Sequence, residues 1–140
     1  LGVENTEIPT LVYDNSSYGR LQLLGRALQN MKVLAAHKTA YTKLTQEELN
    51  TFDHIKGDTE GIVNYGLSIK GIVFTAIFIE NAEEKIIKIS FRSQGNFDVN
   101  QFARNNFSGG GHRNAAGGKS ELSMEETVNK FEDLVSKIEI

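Results

Sequence analysis

Residues 71–93 constrain the fold of this 140-residue chain more than any other stretch. From Gly71 to Glu80 the sequence reads Gly-Ile-Val-Phe-Thr-Ala-Ile-Phe-Ile-Glu, apolar at odd and even positions alike. A strand with that pattern must be covered on both faces, so it belongs in the middle of a sheet between two layers. Asn81-Ala82-Glu83-Glu84 then makes a turn. Lys85 to Ser93 returns with strict alternation: Ile87, Ile89 and Phe91 on one side, Lys88, Ser90 and Arg92 on the other. The pair predicts an antiparallel hairpin.

The rest of the chain supplies the covering layers. Ser16 or Ser17 caps a helix to about Asn30, with Leu21, Leu24, Leu28 and Met31 as its inward stripe. Lys32 to His37 contains Val33-Leu34-Ala35-Ala36 and is expected as a strand. Thr45-Gln46-Glu47-Glu48 is a capping box for a short helix through Leu49 and Phe52. Asp58-Thr59-Glu60 is expected to cap a short helix over 61–68. Asp98 caps a helix with Val99, Phe102 and Ala103 inward, ending near Asn106. Lys119 to Leu122 is expected as a strand. Ser123-Met124-Glu125-Glu126 opens a last helix that carries Val128, Phe131, Leu134, Val135 and Ile138 on one face. The sum is a single α/β domain over 16–140, with a mixed sheet of about four or five strands flanked by helices. Residues 1–15, with the only proline at Pro9, are expected as a linker or tether.

Composition narrows the function. A net charge of −3 argues against broad binding of long nucleic acid, which needs a basic surface. A short ligand held by a few local cations is compatible with it. There is no cysteine, so no disulfide and no thiolate metal site. No apolar run approaches a membrane span and no signal peptide is recognisable, so no membrane association is expected and the cytoplasm is the expected compartment. The chain begins at Leu1, as a fragment would. Asp53 and His54 sit among other acidic residues, but without a partner histidine cluster they are expected as solvated loop.

The chemistry is expected between Phe107 and Lys119, Phe-Ser-Gly-Gly-Gly-His-Arg-Asn-Ala-Ala-Gly-Gly-Lys. Five of thirteen glycines fall between Gly109 and Gly118. Glycine loses much conformational freedom on folding, so such a cluster implies a geometric need. An anion-binding nest of successive N–H groups is one such need. His112 and Arg113 would add side-chain donors. Walker A and dinucleotide-binding spacings fail, because their required glycines fall on Arg113 and Asn114. Arg92 and Ser93 end the second hairpin strand. One short helix later the chain returns to that end of the sheet, so Arg92, Ser93 and His112 are expected to converge on one anion. Arginine suits that task because its fork donates two parallel hydrogen bonds to phosphate.

Gly109-Gly110-Gly111-His112 with Ala115-Ala116-Gly117 resembles the signature of the DHHA1 domain, which ends DHH-family phosphoesterases. Asp58-Thr59-Glu60-Gly61-Ile62-Val63-Asn64 and Ile89-Ser90-Phe91-Arg92-Ser93 resemble segments of the nano-RNase subfamily, which degrades oligoribonucleotides and dephosphorylates pAp. The resemblance implies a substrate-binding domain that grips short single-stranded RNA or nucleotide phosphates with Arg92, Ser93, Gly109, Gly110, Gly111, His112, Arg113, Ala115, Ala116 and Gly117. It implies that the catalytic residues and two divalent ions, usually manganese, belong to an N-terminal DHH domain of the same protein. This chain lacks the Asp-His-His motif and is expected to bind no metal and to be inactive alone. Homodimerisation is left open. The alternatives are the substrate domain of a RecJ-like exonuclease, an exopolyphosphatase or a cyclic-dinucleotide phosphodiesterase, and a non-catalytic nucleotide- or RNA-binding module.

Overall fold

In a computed structural model, residues 17–140 are described; the expected tether over 1–15 and the alternative cap Ser16 lie outside them. In chain order the elements are α1 (Tyr18–Gln29), β1 (Lys32–Leu34), a 3-10 turn (Ala35–His37), β2 (Thr39–Leu44), α2 (Gln46–Thr51), a 3-10 helix (Ile62–Ser68), β3 (Phe74–Asn81), β4 (Ile86–Ser93), α3 (Val99–Asn106), β5 (Gly110–His112), β6 (Ala115–Ser120) and α4 (Met124–Ser136). The sheet order is β1-β2-β3-β4-β6-β5, with β2 and β3 parallel and every other pair antiparallel. This is one mixed α/β domain, with six strands rather than four or five.

β3 is central and covered on both faces, as its doubly apolar pattern requires. One layer is aromatic. Phe74 and Phe78 of β3, Ile87, Ile89 and Phe91 of β4, Phe102 and Phe107 of α3 and its cap, and Phe131 of α4 are all buried together. Phe131 sits at its centre, with ring centroids 5.6 Å from Phe74, 5.1 Å from Phe78 and 5.6 Å from Tyr41. The second layer is smaller: Leu23 and Ala27 of α1, Leu49 of α2, and Ile62 and Val63 of the 3-10 helix cover Leu44 and Ile77.

Four expectations change. In α1 the buried residues are Leu23 and Ala27; of the expected stripe Leu24 is half-buried against the second layer, while Leu21 and Leu28 are 54% and 42% exposed. Two apolar stripes lie one residue apart in that sequence. Close approach at Ala27, whose carbonyl accepts the Thr42 hydroxyl, selects the one with the smaller side chain. β1 stops at Leu34, and the chain turns through Lys38 into β2, a strand not expected from the sequence. Its threonines are buried because Thr39 and Thr42 donate to the carbonyls of His37 and Ala27. The 3-10 helix begins at Gly61 (φ +85°) without a side-chain cap. The Asp58 carboxylate instead accepts the Ile55 N–H at 3.0 Å. Finally, the glycine stretch, expected to offer a nest of successive N–H groups, folds as a hairpin, β5 and β6, joined by Arg113 and Asn114. The expected strand at 119–122 is only the end of β6.

Candidate functional site

The second layer is narrower than the sheet. α1, α2 and the 3-10 helix cover β2 and β3 on that side. On the same side β4, β6 and β5 carry exposed or half-buried residues: Lys88, Ser90, Arg92, Ala115, Gly117, Lys119, Gly110 and His112. The opposite side of β4 and β6 buries Ile87, Ile89, Phe91 and Ala116 against α3 and α4. Among the described residues half of one sheet face is therefore open, with the 3-10 helix beside it.

The register arranges this face in rows. Arg92 is opposite Ala115, and Ala115 is opposite His112; Ser90 is opposite Gly117, and Gly117 opposite Gly110; Lys88 is opposite Lys119. Directly paired residues project to the same side of a sheet. Arg92 and His112 thus stand in one row, two strands apart. At 4.7–4.9 Å per strand their backbones are roughly 10 Å apart, with only the methyl of Ala115 between them. The Arg92 guanidinium donates to the Phe91 carbonyl at 2.9 Å. Among the described residues neither Arg92, His112, Arg113 nor Lys119 enters an ion pair.

The convergence expected for Ser93 takes another form. Ser93 is buried on the opposite side of β4, where its hydroxyl donates to the Phe97 carbonyl at 2.7 Å and accepts from the Asn114 amide at 2.9 Å. It fastens the β5–β6 turn to the strand end that carries Arg92. Arg113 is exposed in that turn, and its carbonyl accepts the Val99 N–H at 2.7 Å. Ala116 faces the core.

The nest of free N–H groups is a correction. Gly109 donates to the Ala103 carbonyl at 3.3 Å, and Gly111 donates to the Asn100 side chain at 2.8 Å. The glycines answer a packing need instead. A Cβ on Gly109 would lie 1.9 Å from the Gly117 carbonyl oxygen, and one on Gly111 2.6 Å from that of Ala115. Gly117 differs: a Cβ there would meet nothing nearer than the Ile89 carbonyl oxygen at 3.5 Å, and it forms the open floor.

Sequence reasoning passed over Lys88, Ser90, Lys119, Asn100 and Asn114. The alternation of β4 carries the signal for Lys88 and Ser90, which share a side with Arg92. Nothing local marks Asn100; Lys119 and Asn114 lie in the glycine stretch, but their places depend on the β4–β6 register and on α3 docking.

Among the described residues no three His, Asp or Glu side chains are grouped so as to hold a metal ion. No helix among them is long and apolar enough to cross a membrane.

The DHHA1 domain family matches residues 38–139, more than half of the chain. An exopolyphosphatase-related protein from Bacteroides fragilis has a solved structure that is 46% identical, with a TM-score of 0.87 over 95% of this chain. This chain spans 38% of that one. A pGpG-specific phosphodiesterase from Vibrio cholerae is 14% identical, with a TM-score of 0.59 over 85% of this chain and 38% of its own; at that identity the likeness concerns the fold alone. None of the curated proteins compared matches the chain.

Proposed function

The chain belongs to the DHHA1 family, and from that premise we propose that it is the substrate-binding domain of a metal-dependent phosphoesterase acting on short oligoribonucleotides or pAp. One observation carries the reading: Arg92, Ala115 and His112 form a single row across three adjacent strands, on a sheet face that no other layer among the described residues covers. The row has what a terminal phosphate needs. Arg92 offers a planar fork for two parallel hydrogen bonds, His112 a second donor, and Ala115 a gap without bulk. A rigid strand end holds such side chains in place better than a loop would. Asn64 and Tyr65 of the 3-10 helix are exposed, and in this reading they would meet a base or sugar of the ligand.

Hydrolysis belongs elsewhere in this reading. The described residues do not fit a two-ion centre, which needs several carboxylates and histidines around ions about 3.5–4 Å apart. The ions, manganese by the family resemblance, would be held by an N-terminal DHH domain. The work of this chain is to hold the terminal phosphate and so fix which ester faces that centre. Orientation of this kind converts binding into rate without a reacting group of its own.

Two measurements test the proposal. The chain is titrated with adenosine 5′-monophosphate, 5′-phosphorylated diadenylate and unphosphorylated diadenylate at one salt concentration. Tighter binding of the phosphorylated dinucleotide is expected, and equal affinity for both dinucleotides refutes a terminal-phosphate reader. The same chain is incubated with manganese and pAp, where no release of phosphate above buffer is expected. Turnover that survives repurification would place catalytic groups in this chain. The exopolyphosphatase-related name of the 46% identical structure favours a second substrate, inorganic polyphosphate. Competition of polyphosphate against phosphorylated diadenylate ranks the two.

A further inference from the structure

Lys88 and Lys119 are directly opposite each other on β4 and β6, on the open face. Like charges in that position destabilise a sheet. Their only compensation among the described residues is an exposed pair from Lys88 to Glu84 at 3.2 Å; Lys119 has none. Exposed pairs of this kind contribute little. The two lysines flank a depression of about 460 Å³ whose floor is Ser90, Gly109, Gly110 and Gly117. Four residues of strand separate them from Arg92, which at about 3.4 Å per residue is roughly 13–14 Å. The floor between is a serine and glycines, free of bulk and of carboxylates. Beyond the lysines the surface changes: Glu80 and Glu83 stand with His54 and Lys56, so both signs mix there and the uninterrupted run of positive charge ends at this row.

We propose that the Lys88–Lys119 row is a second anion subsite, which takes an internal phosphate of a linear polyanion whose terminal phosphate lies at Arg92 and His112. The inference rests on the proposed function and deepens it. The separation exceeds the step between neighbouring phosphates of one strand, so the lysines reach a phosphate further along. A mononucleotide cannot occupy both rows. The row therefore sets the length of ligand that gains from binding, and the mixed charge beyond it sets where the gain stops. Lysine fits the task, because a flexible point charge accommodates a backbone phosphate without demanding one geometry.

The test compares the chain with Lys88→Gln/Lys119→Gln, titrated with adenosine 5′-monophosphate, 5′-phosphorylated pentaadenylate and inorganic pentaphosphate. Both substitutions are at exposed positions, and circular dichroism with thermal unfolding checks that the fold is kept. The double variant is expected to bind the pentaadenylate about tenfold or more weakly and the monophosphate unchanged. The salt dependence for pentaadenylate should flatten by about 0.7 in log–log slope, because the pair takes one internal phosphate and a single strand gives about 0.7 per phosphate neutralised. A loss seen with pentaadenylate alone assigns the subsite to phosphodiesters; a loss with pentaphosphate as well assigns it to linear phosphates in general. Unchanged pentaadenylate affinity, or an equal loss for the monophosphate, overturns the subsite. Arg92→Ala separates the two failures. If it weakens both nucleotides while the lysine variant weakens neither, the terminal site stands and the second subsite falls. If Arg92→Ala weakens neither, the reading beneath both is gone.

Discussion

At Arg92 the strand alternation read from the sequence is the alternation of β4 in the structure. Alternation alone places it opposite the buried Ile87, Ile89 and Phe91, and the register adds what alternation cannot: His112 in the same row. A hydrogen bond to a charged group contributes about 1.5–3 kcal/mol net. Arg92→Ala is therefore expected to weaken 5′-phosphorylated diadenylate by roughly 10- to 150-fold, at about 1.4 kcal/mol per decade. The unphosphorylated dinucleotide should change far less, and Arg92→Lys should recover only part of the loss, because an ammonium lacks the fork. Calorimetric titration of both ligands makes the comparison; equal losses would mean that Arg92 supports the fold or the base. Ser93, its neighbour in sequence, illustrates the opposite case. One residue along a strand reverses the side, so the serine next to Arg92 in sequence is buried and ties the Asn114 turn in place. At this scale the types of residue in the site are legible, and their directions are legible only inside a recognised strand.

The β5–β6 hairpin is the element whose form is least legible. Five glycines suggest a loop with free N–H groups, because composition does not reveal what the backbone meets. The structure shows two uses of glycine in one hairpin. Gly109 lets β5 approach β6, whereas Gly117 leaves the floor of the open face bare. Gly109→Ala is expected to destabilise the fold by about 1–3 kcal/mol, the usual range for overpacking a tight site. Gly117→Ala has room for its methyl and should unfold near the wild-type denaturant midpoint, yet weaken phosphorylated diadenylate by raising the floor. Urea unfolding and ligand titration of both variants separate the roles, and a stable Gly109→Ala protein would remove the packing account. β2 escapes the sequence for a related reason. Thr39-Ala40-Tyr41-Thr42 reads as polar, and its burial depends on carbonyl partners supplied by other elements. β3, β4, α3 and α4 are legible because periodicity and caps are local signals.

Two carboxylates fasten the helical layers to the molecule as a whole. Glu48 of α2 accepts from Arg26 at 3.1 Å and Asn30 at 2.9 Å, both on the α1 side. Glu132 of α4 accepts from the Tyr41 hydroxyl of β2 and pairs with Lys32 of β1 at 3.0 Å. Burial pushes the Glu48 carboxyl up, but hydrogen bonds from Asn30, Thr45 and Arg26 together outweigh it and hold the group below its usual range. The Tyr41 hydrogen bond, with Lys32, holds Glu132 below it against a smaller burial effect. A depressed carboxyl binds its proton less readily folded than unfolded, so stability rises with pH through that range. The contribution is complete above the unfolded value of 4.5 and disappears as pH falls through the lower folded values. Tyr41 has the opposite sense. Burial first, then the hydrogen bond and charge of Glu132, raise its hydroxyl well above the ordinary 10.0. Its proton is held more tightly in the folded chain, so that contribution is complete below pH 10 and is lost as pH rises beyond it. Stability should therefore be flat across neutral pH and fall at both ends, and one residue should alter both. Tyr41→Phe keeps the ring against Phe78 and Phe131 but removes the hydroxyl. It is expected to lower stability at pH 7 by about 1.5–3 kcal/mol, as loss of a hydrogen bond to a charged group does. It should also flatten the fall above pH 10 and shallow the fall below 4.5, since Glu132 loses its strongest donor. Glu132→Gln should shallow the acid limb while keeping an alkaline one, because burial still raises the Tyr41 hydroxyl. Urea unfolding of the three proteins between pH 3 and 11 reads all of this directly. An alkaline limb unchanged in Tyr41→Phe would show that another group governs it, and an acid limb unchanged in both variants would leave Glu48 as the acid-labile fastening.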